Sequence, residues 1–354
     1  MRIALIAGPW VAVPPPAYGG IETVLDHLAR GLVAAGHEVV LATTGDSGCP
    51  VTRTWLFPEA LGVQEGGSLA ELRHILHAYD WLDGQGIDVV HDHTLAGPVF
   101  AAKAGLPVLT TNHGPFDENL APYYAAIADM VPIIAISERQ AATAGSIPVA
   151  AVVHHGIDVD TVPVGAGDGG YAAFLGRMCP DKGIPVAIRT ARLAGVPLRI
   201  AAKMSEPREH AYFEREVEPL LGGDVEYVGE LSRDDSAAFV GAACCLLNPI
   251  QWEEPFGMVM VEALATGTPV VATPWGAAPE IVVDGRTGFV RGCEDDLAAC
   301  VRRSGELDRD ACRADVAARF STERMVAGHL RVYEQVAERG RAGRVTPPRC
   351  MVHR

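Results

Sequence analysis

The chain has 354 residues, 49% of them hydrophobic, and a formal net charge of −15. That length is long for one domain and comfortable for two, each able to bury a sizeable core. The acidic balance argues against a nucleic-acid partner, and no apolar run is long enough to span a bilayer, although a peripheral membrane contact stays open.

Ile3 to Ala7 reads as a first strand, because its apolar stretch breaks at Gly8-Pro9, too soon for a signal peptide. A Gly/Pro-rich loop follows and ends in Tyr18-Gly19-Gly20-Ile21-Glu22. Ile21, Val24, Leu25, Leu28 and Leu32 then share one helical face, Gly36 stops the helix, and His37 to Ala42 forms the next strand. A Gly-rich turn at the first strand–helix crossing suits backbone binding of phosphate, although a tight turn alone accounts equally for a bare Gly-Gly. Ser68 to Glu71 has the pattern of a capping box at the start of another helix.

Asp88 to His91 predicts a strand ending in Asp92-His93. His-Asp-His invites a metal reading, but consecutive side chains on an extended chain point to alternate faces and cannot converge on one ion. A strand end facing a cleft is the better account, because ligands gather at strand C-termini in open α/β sheets. Pro107 to Thr111 is a further strand of this kind, running into Asn112-His113-Gly114. Ile133 to Ile136 leads to a helix capped by Ser137, and Ala151 to Asp158 closes the first unit. Asp158-Val159-Asp160 could hold a metal bridging a diphosphate, yet it lies between two strand–helix series and is followed by a Gly-rich linker, Gly165 to Gly170.

Tyr171 to Gly176 opens a second strand–helix series. Arg177 and Lys182 flank a turn at the C-terminal end of that strand, ahead of a helix from Ile184 to Ala194. Two cations so placed can grip one diphosphate, the guanidinium bidentately and the ammonium as a point charge. Lysine occurs only at 103, 182 and 203, which makes each one more informative. Strands are expected at Leu198–Ala202, Val225–Gly229, Cys244–Asn248, Pro269–Thr273 and Gly288–Val290, with Ser232 capping a helix between the second and third. The eight cysteines, two of them adjacent in an apolar run, include no Cys-x-x-Cys, which implies reduced buried thiols, a cytoplasmic setting and no zinc site.

The most informative stretch is Glu254-Pro255-Phe256-Gly257-Met258-Val259-Met260-Val261-Glu262, continuing through Thr268-Pro269. Pro255 suits the first turn of a helix, Gly257 lets backbone approach a ligand, and the free amides of a helix start would face an anion. Two carboxylates flanking such an anion suit a ligand with phosphates between sugars, which describes a nucleotide sugar.

Glu254-x₇-Glu262 with its Pro-Phe-Gly, together with Gly19-Gly20-x-Glu22, His113-Gly114 and Gly176-Arg177…Lys182-Gly183, resembles the retaining glycosyltransferases of family 4 over roughly residues 1 to 340. The resemblance implies an α/β chain of GT-B architecture, with two Rossmann-like domains facing a central cleft. Residues 1–157 would be the acceptor-side domain, 158–170 a linker, 171–320 the nucleotide-sugar domain, 321–340 a helix crossing back, and 341–354 a disordered basic tail.

By resemblance Arg177, Lys182, Glu254 and His113 carry catalysis. Gly19, Gly20, Gly229, Leu231, Phe256, Gly257, Met258 and Glu262 join them in holding the donor. Glu254 would bind the transferred sugar, Glu262 the ribose, and the strand ends near Lys203 and Gly229 to Leu231 the base. The implied reaction is retaining transfer from a UDP- or GDP-type sugar to a small-molecule or glycan acceptor. No metal or other cofactor is implied, and a bacterial polysaccharide or natural-product pathway is suggested by the Val13-to-Gly20 loop. A nucleotide-sugar epimerase or a sugar phosphorylase on the same fold is the alternative.

Overall fold

The computed structural model describes residues 1–62 and 67–343, so most of the expected basic tail (344–354) lies outside the described residues. The first half carries seven parallel strands: β1 (Arg2–Ile6), β2 (Glu38–Thr43), β3 (Thr52–Trp55), β4 (Val89–Asp92), β5 (Val108–Thr111), β6 (Ile133–Ala135) and β7 (Ala151–Val152), in the order β3-β2-β1-β4-β5-β6-β7. Helices α1 (Gly20–Ala34), α2 (Ser68–Leu82), α3 (Gly97–Lys103), α4 (Leu120–Ile127) and α5 (Glu138–Thr143) make the crossovers. The second half carries six: β8 (Ala172–Arg177), β9 (Leu198–Lys203), β10 (Val225–Gly229), β11 (Cys245–Asn248), β12 (Val270–Ala272) and β13 (Gly288–Val290), in the order β10-β9-β8-β11-β12-β13. Its helices are α6 (Ile184–Ala194), α7 (Pro207–Tyr212), α8 (Arg233–Ala242), α9 (Met258–Ala265), α10 (Ala278–Ile281), α11 (Glu294–Arg303), α12 (Arg309–Arg319) and α13 (Thr322–Gly343).

Each sheet is buried on both faces, which is why its strands read as apolar runs instead of alternating patterns. Ile3 and Leu5 pack with α1 on one face of the first sheet, while Ala4 and Ile6 pack with α2 on the other. The second sheet divides in the same way between α6 and α11 on one side and α9 and α12 on the other. In both sheets the strand order reverses beside the first strand, at β1/β4 and β8/β11. Ligands of open α/β sheets bind outside the strand ends at such a reversal.

The two halves are joined twice. Ile157 donates its N–H to Phe320 O at 2.9 Å and accepts that of Thr322 at 3.1 Å, so both crossings run side by side. Arg313 then ties the linker to the second half through Val159 O and Val162 O. Beyond the crossing, α13 returns to the first half, where Met325, Val326, Val332, Tyr333 and Val336 complete its core. The close approach of α13 to α1 depends on Gly31, because a Cβ there would sit 2.6 Å from Thr322 Cγ2 and Val326 Cγ2. Gly31→Val is expected to destabilise the fold by about 1–3 kcal/mol through overpacking, read as a lower melting temperature; an unchanged one would show that α13 does not bear on α1.

Two expectations are corrected and one strand is added to them. The edge strand β3 was not anticipated, since Thr-Arg-Thr-Trp has no apolar pattern and only Thr54 is buried. The capping box at Ser68 does not form: Gly67 is the N-cap, and Glu71 instead accepts the N–H of Leu95 at 2.8 Å. Pro255 is not in a helical first turn. Helix α9 starts at Met258 because Gly257 takes φ 92°, a left-handed conformation that no α-helix continues. Among the described residues no helix is long and apolar enough to cross a membrane.

Candidate active site

A cavity of about 570 Å³ lies between the strand ends of the two sheets. From the first half come Tyr18 and Gly19 on the loop after β1, Gly20 at the start of α1, and His113 on the loop after β5. From the second come Arg177 and Lys182 after β8, Leu231 after β10, and Glu254, Phe256, Gly257, Met258 and Glu262 on the loop after β11 and the helix it feeds. These sequence-predicted residues therefore share one cleft. Gly229 is the exception: it ends β10 at φ 89°, and its neighbours Glu230 and Leu231 reach the cavity instead.

Lys182 and Glu254 form an ion pair, with only 13% and 12% of their side chains exposed. Burial works against the Lys182 charge, yet the Glu254 carboxylate holds its pKa above the usual lysine value. Trp252 adds a hydrogen bond, Nε1 to Glu254 Oε2 at 3.0 Å, and its ring lies 5.8 Å from the ammonium. Arg177 sits across the turn, with Nε 3.5 Å from the buried carboxylate of Glu209. That carboxylate attracts the guanidinium without a hydrogen bond, which leaves the donors of its fork for a ligand.

At Gly257 the positive φ of 92° is what requires glycine, since an added Cβ would meet only the movable end of the Met260 side chain. The turn brings the start of α9 against the cavity, where Met258 and Val259 line it and first-turn amides lack intrahelical partners. Glu262 follows one turn later; burial raises its pKa and the Arg233 charge opposes that shift.

His113 belongs to a set of packed rings. His93 Nδ1 and His113 Nε2 are 2.8 Å apart, His91 and His93 rings are 3.9 Å apart, and His113 stacks on His155 at 5.3 Å. Asp92 points to the other face, where it accepts from Tyr79 Oη at 2.6 Å and from Thr94. His-Asp-His is thus split between two faces of the sheet. Asp158 and Asp160 are exposed on a short turn outside the cavity.

Burial depresses the pKa of His74 and His329 to about 4 and of His113 to about 3, and takes His91, His93 and His155 well below the usual value. In the unfolded chain each would protonate near 6.5. The unfolded state therefore binds more protons below that pH, and stability present above about 6.5 is lost as pH falls toward 4. Asp92, raised to about 6 chiefly by burial, acts in the opposite sense, as do Glu22 and Glu262, but these carboxyls are fewer than the depressed histidines, which include His27. The melting temperature is expected to be highest near neutrality and to fall steeply between about pH 6.5 and 4; a flat profile would contradict neutral buried rings.

Contacts also cross directly between the halves. Arg139 forms a two-bonded pair with Glu253, at 2.9 and 2.6 Å. Glu280 accepts the N–H groups of Glu138 and Arg139 at 2.9 and 2.6 Å and lies 3.1 Å from His154 Nε2. Glu253 immediately precedes Glu254, and Glu280 lies on α10, behind Ala277, which donates to Glu254 O at 3.0 Å, so the first half helps to position that loop. Sequence reasoning missed Tyr18, Glu22, His27, Trp252 and Arg233 as cleft residues. Tyr18 and Glu22 adjoin the Gly pair and Trp252 precedes Glu254, which are usable signals; His27 and Arg233 sit at ordinary helical positions and give none.

Two Rossmann-type sheets sharing a cleft at their strand ends, with cations and acids converging there, define a GT-B glycosyltransferase. Residues 18–161 match Glycosyltransferase Family 4 and residues 170–305 match Glycosyl transferases group 1. The chain belongs to glycosyltransferase family 4. It is 28% identical over 379 aligned positions to the phosphatidyl-myo-inositol mannosyltransferase of Mycolicibacterium smegmatis, covering 96% of this chain and 95% of that one. Among solved structures, AviGT4, a glycosyltransferase involved in avilamycin A biosynthesis, is similar at a TM-score of 0.71 and 25% identity, covering 95% of this chain and 98% of that chain. Sucrose-phosphate synthase from Thermosynechococcus elongatus shares the fold at a TM-score of 0.78 and 20% identity, covering 96% and 99%. Anabaena HepE, solved with UDP and glucose, shares it at 0.70 and 19%, covering 95% and 100%.

Proposed function

We propose that the enzyme transfers a sugar from a nucleoside-diphosphate sugar to an acceptor hydroxyl, with retention at the anomeric carbon and without a metal ion. The observation that carries this reading is the buried Lys182–Glu254 pair beside the start of α9. A cation and an acid held together at the wall of a large cavity match a ligand that brings phosphate for one and hydroxyls for the other.

In this reading the leaving diphosphate takes over Lys182 and Arg177, and the α9 amides share its charge. Groups of this kind are worth on the order of 3–4 kcal/mol each in rate terms. Glu254, released from Lys182, accepts hydrogens from the sugar hydroxyls. Glu262 does the same for the ribose, and its loss would leave both hydroxyls unpaired. His113, neutral throughout the physiological range, cannot act as an acid and instead offers the transferred sugar a hydrogen bond. No side chain is assigned as a nucleophile, which fits front-face return of the acceptor with the leaving phosphate helping to take its proton.

The mannosyltransferase relatives are named for phosphatidyl-myo-inositol and HepE is solved with UDP, which supports a nucleotide-sugar donor and a polyol acceptor. The test is incubation with UDP- and GDP-sugars and myo-inositol phosphates in excess EDTA, with the anomer of the product read by proton NMR. An α-linked product from an α-donor, formed in EDTA, is expected. Turnover abolished by EDTA and restored by manganese would overturn the metal-free reading, and an epimerised sugar formed with no acceptor would overturn the transfer reading.

A further inference from the structure

Arg233 is the first residue of α8, behind the Ser232 cap, and it lines the cavity together with Glu262 of its own half and His27 of the facing half. Its Nη2 donates to His27 Nε2 at 2.7 Å. His27 is 4% exposed, and its Nδ1 lies 3.2 Å from Gly156 O. Those two partners fix the tautomer: Nδ1 carries the proton and gives it to the carbonyl, while bare Nε2 accepts from the guanidinium. Among the described residues no side chain hydrogen-bonds the Glu262 carboxylate, and Arg233 is the cation whose field acts on it. One guanidinium therefore shares the cavity wall with Glu262 of its own half while it is anchored on His27 of the other.

We propose that Arg233 is a positioning residue for the donor, acting through Glu262 and held in place by His27, so that recognition of the ribose is linked to contact between the two halves. The proposal rests on the reading of Glu262 as the ribose ligand. A guanidinium has five N–H donors in a rigid fork, so one can be spent on His27 while its charge still acts on the Glu262 carboxylate. Arg233 is exposed at the helix start even with the halves together, so His27 is what holds it in one place, and that anchor is lost when the halves part. Ribose hydroxyls bound at Glu262 are then held less firmly.

The experiment measures calorimetric binding of UDP, GDP and their 2′-deoxy forms to the full chain and to its variants. The wild type should prefer the ribonucleotide, and Glu262→Gln should remove that preference. Arg233→Gln should cut the preference by about tenfold, the size expected for a hydrogen bond to a charged group. His27→Asn retains a donor for Gly156 O but is too short to reach Arg233, so it should act in the same direction. The Arg233→Gln/His27→Asn double variant should be no worse than Arg233→Gln alone, because both remove one link. His27→Gln, whose amide oxygen replaces Nε2, should recover most of what His27→Asn loses. Wild-type preference retained in Arg233→Gln or in His27→Asn, or additive losses in the double variant, would overturn the bridge alone. A wild type that binds neither nucleotide would instead sink the donor reading, and the bridge with it.

Discussion

Replacing Lys182 by alanine should lower turnover at least about 100-fold, the loss that follows removal of one preorganised group facing developing charge. The ammonium is nearly buried, held on one side by Glu254 and set over Trp252, so it cannot drift to another position. A group fixed in advance pays no reorganisation when the diphosphate departs, which is why its effect appears in kcat and not only in donor affinity. Lys182→Arg should recover only part of the loss, since a planar fork does not replace a compact charge. Arg177→Ala should fall in the same range, because its guanidinium lines the same cavity beside Lys182 and is proposed to meet the same phosphates. Near-normal kcat in both alanine variants, with melting temperatures unchanged, would end the diphosphate assignment.

The second large effect is expected at Glu254. Glu254→Ala removes the partner of a buried ammonium as well as the acid meant for the sugar, and an uncompensated buried charge costs about 3–5 kcal/mol. Donor turnover should fall more than about 100-fold, with some loss of thermal stability in the free enzyme. Glu254→Gln separates the two roles. It keeps the shape and one acceptor but removes the charge that holds Lys182. If the carboxylate serves chiefly the sugar, added nucleoside diphosphate should restore stability in Glu254→Gln, because the phosphates then neutralise Lys182. Stability that stays low at saturating nucleotide would mean that the pair is structural and that the phosphates bind elsewhere.

The parts of this enzyme that could be read from its residues are those where one residue type answers one local demand. The helix over Ile184–Ala194 and the strand over Val225–Gly229 fall where apolar spacing and flanking glycines put them. Arg177, Lys182, Glu254 and Glu262 could be picked out because their spacing, with the glycines and Pro-Phe-Gly beside them, matches a family motif, while charge at those places alone is ordinary. What stayed hidden depends on tertiary partners. Strand β3 is paired at the sheet edge despite a polar sequence, and Glu71 abandons its cap for Leu95 on another segment. Arg233 and His27 meet only when the two halves do, with 206 positions between them in the chain.

The central claim is that one diphosphate is pinned by a guanidinium, an ammonium and helix-end amides in the cleft between the halves. Its most direct test is a crystal structure of the enzyme soaked with UDP-glucose or GDP-mannose in the presence of EDTA. The account predicts phosphate oxygens within hydrogen-bond distance of Arg177, Lys182 and the Met258 or Val259 amide, with Glu262 on the ribose and Glu254 turned from Lys182 toward the sugar. Phosphates seated away from those groups, or appearing only with a metal ion at Asp158 and Asp160, would contradict it.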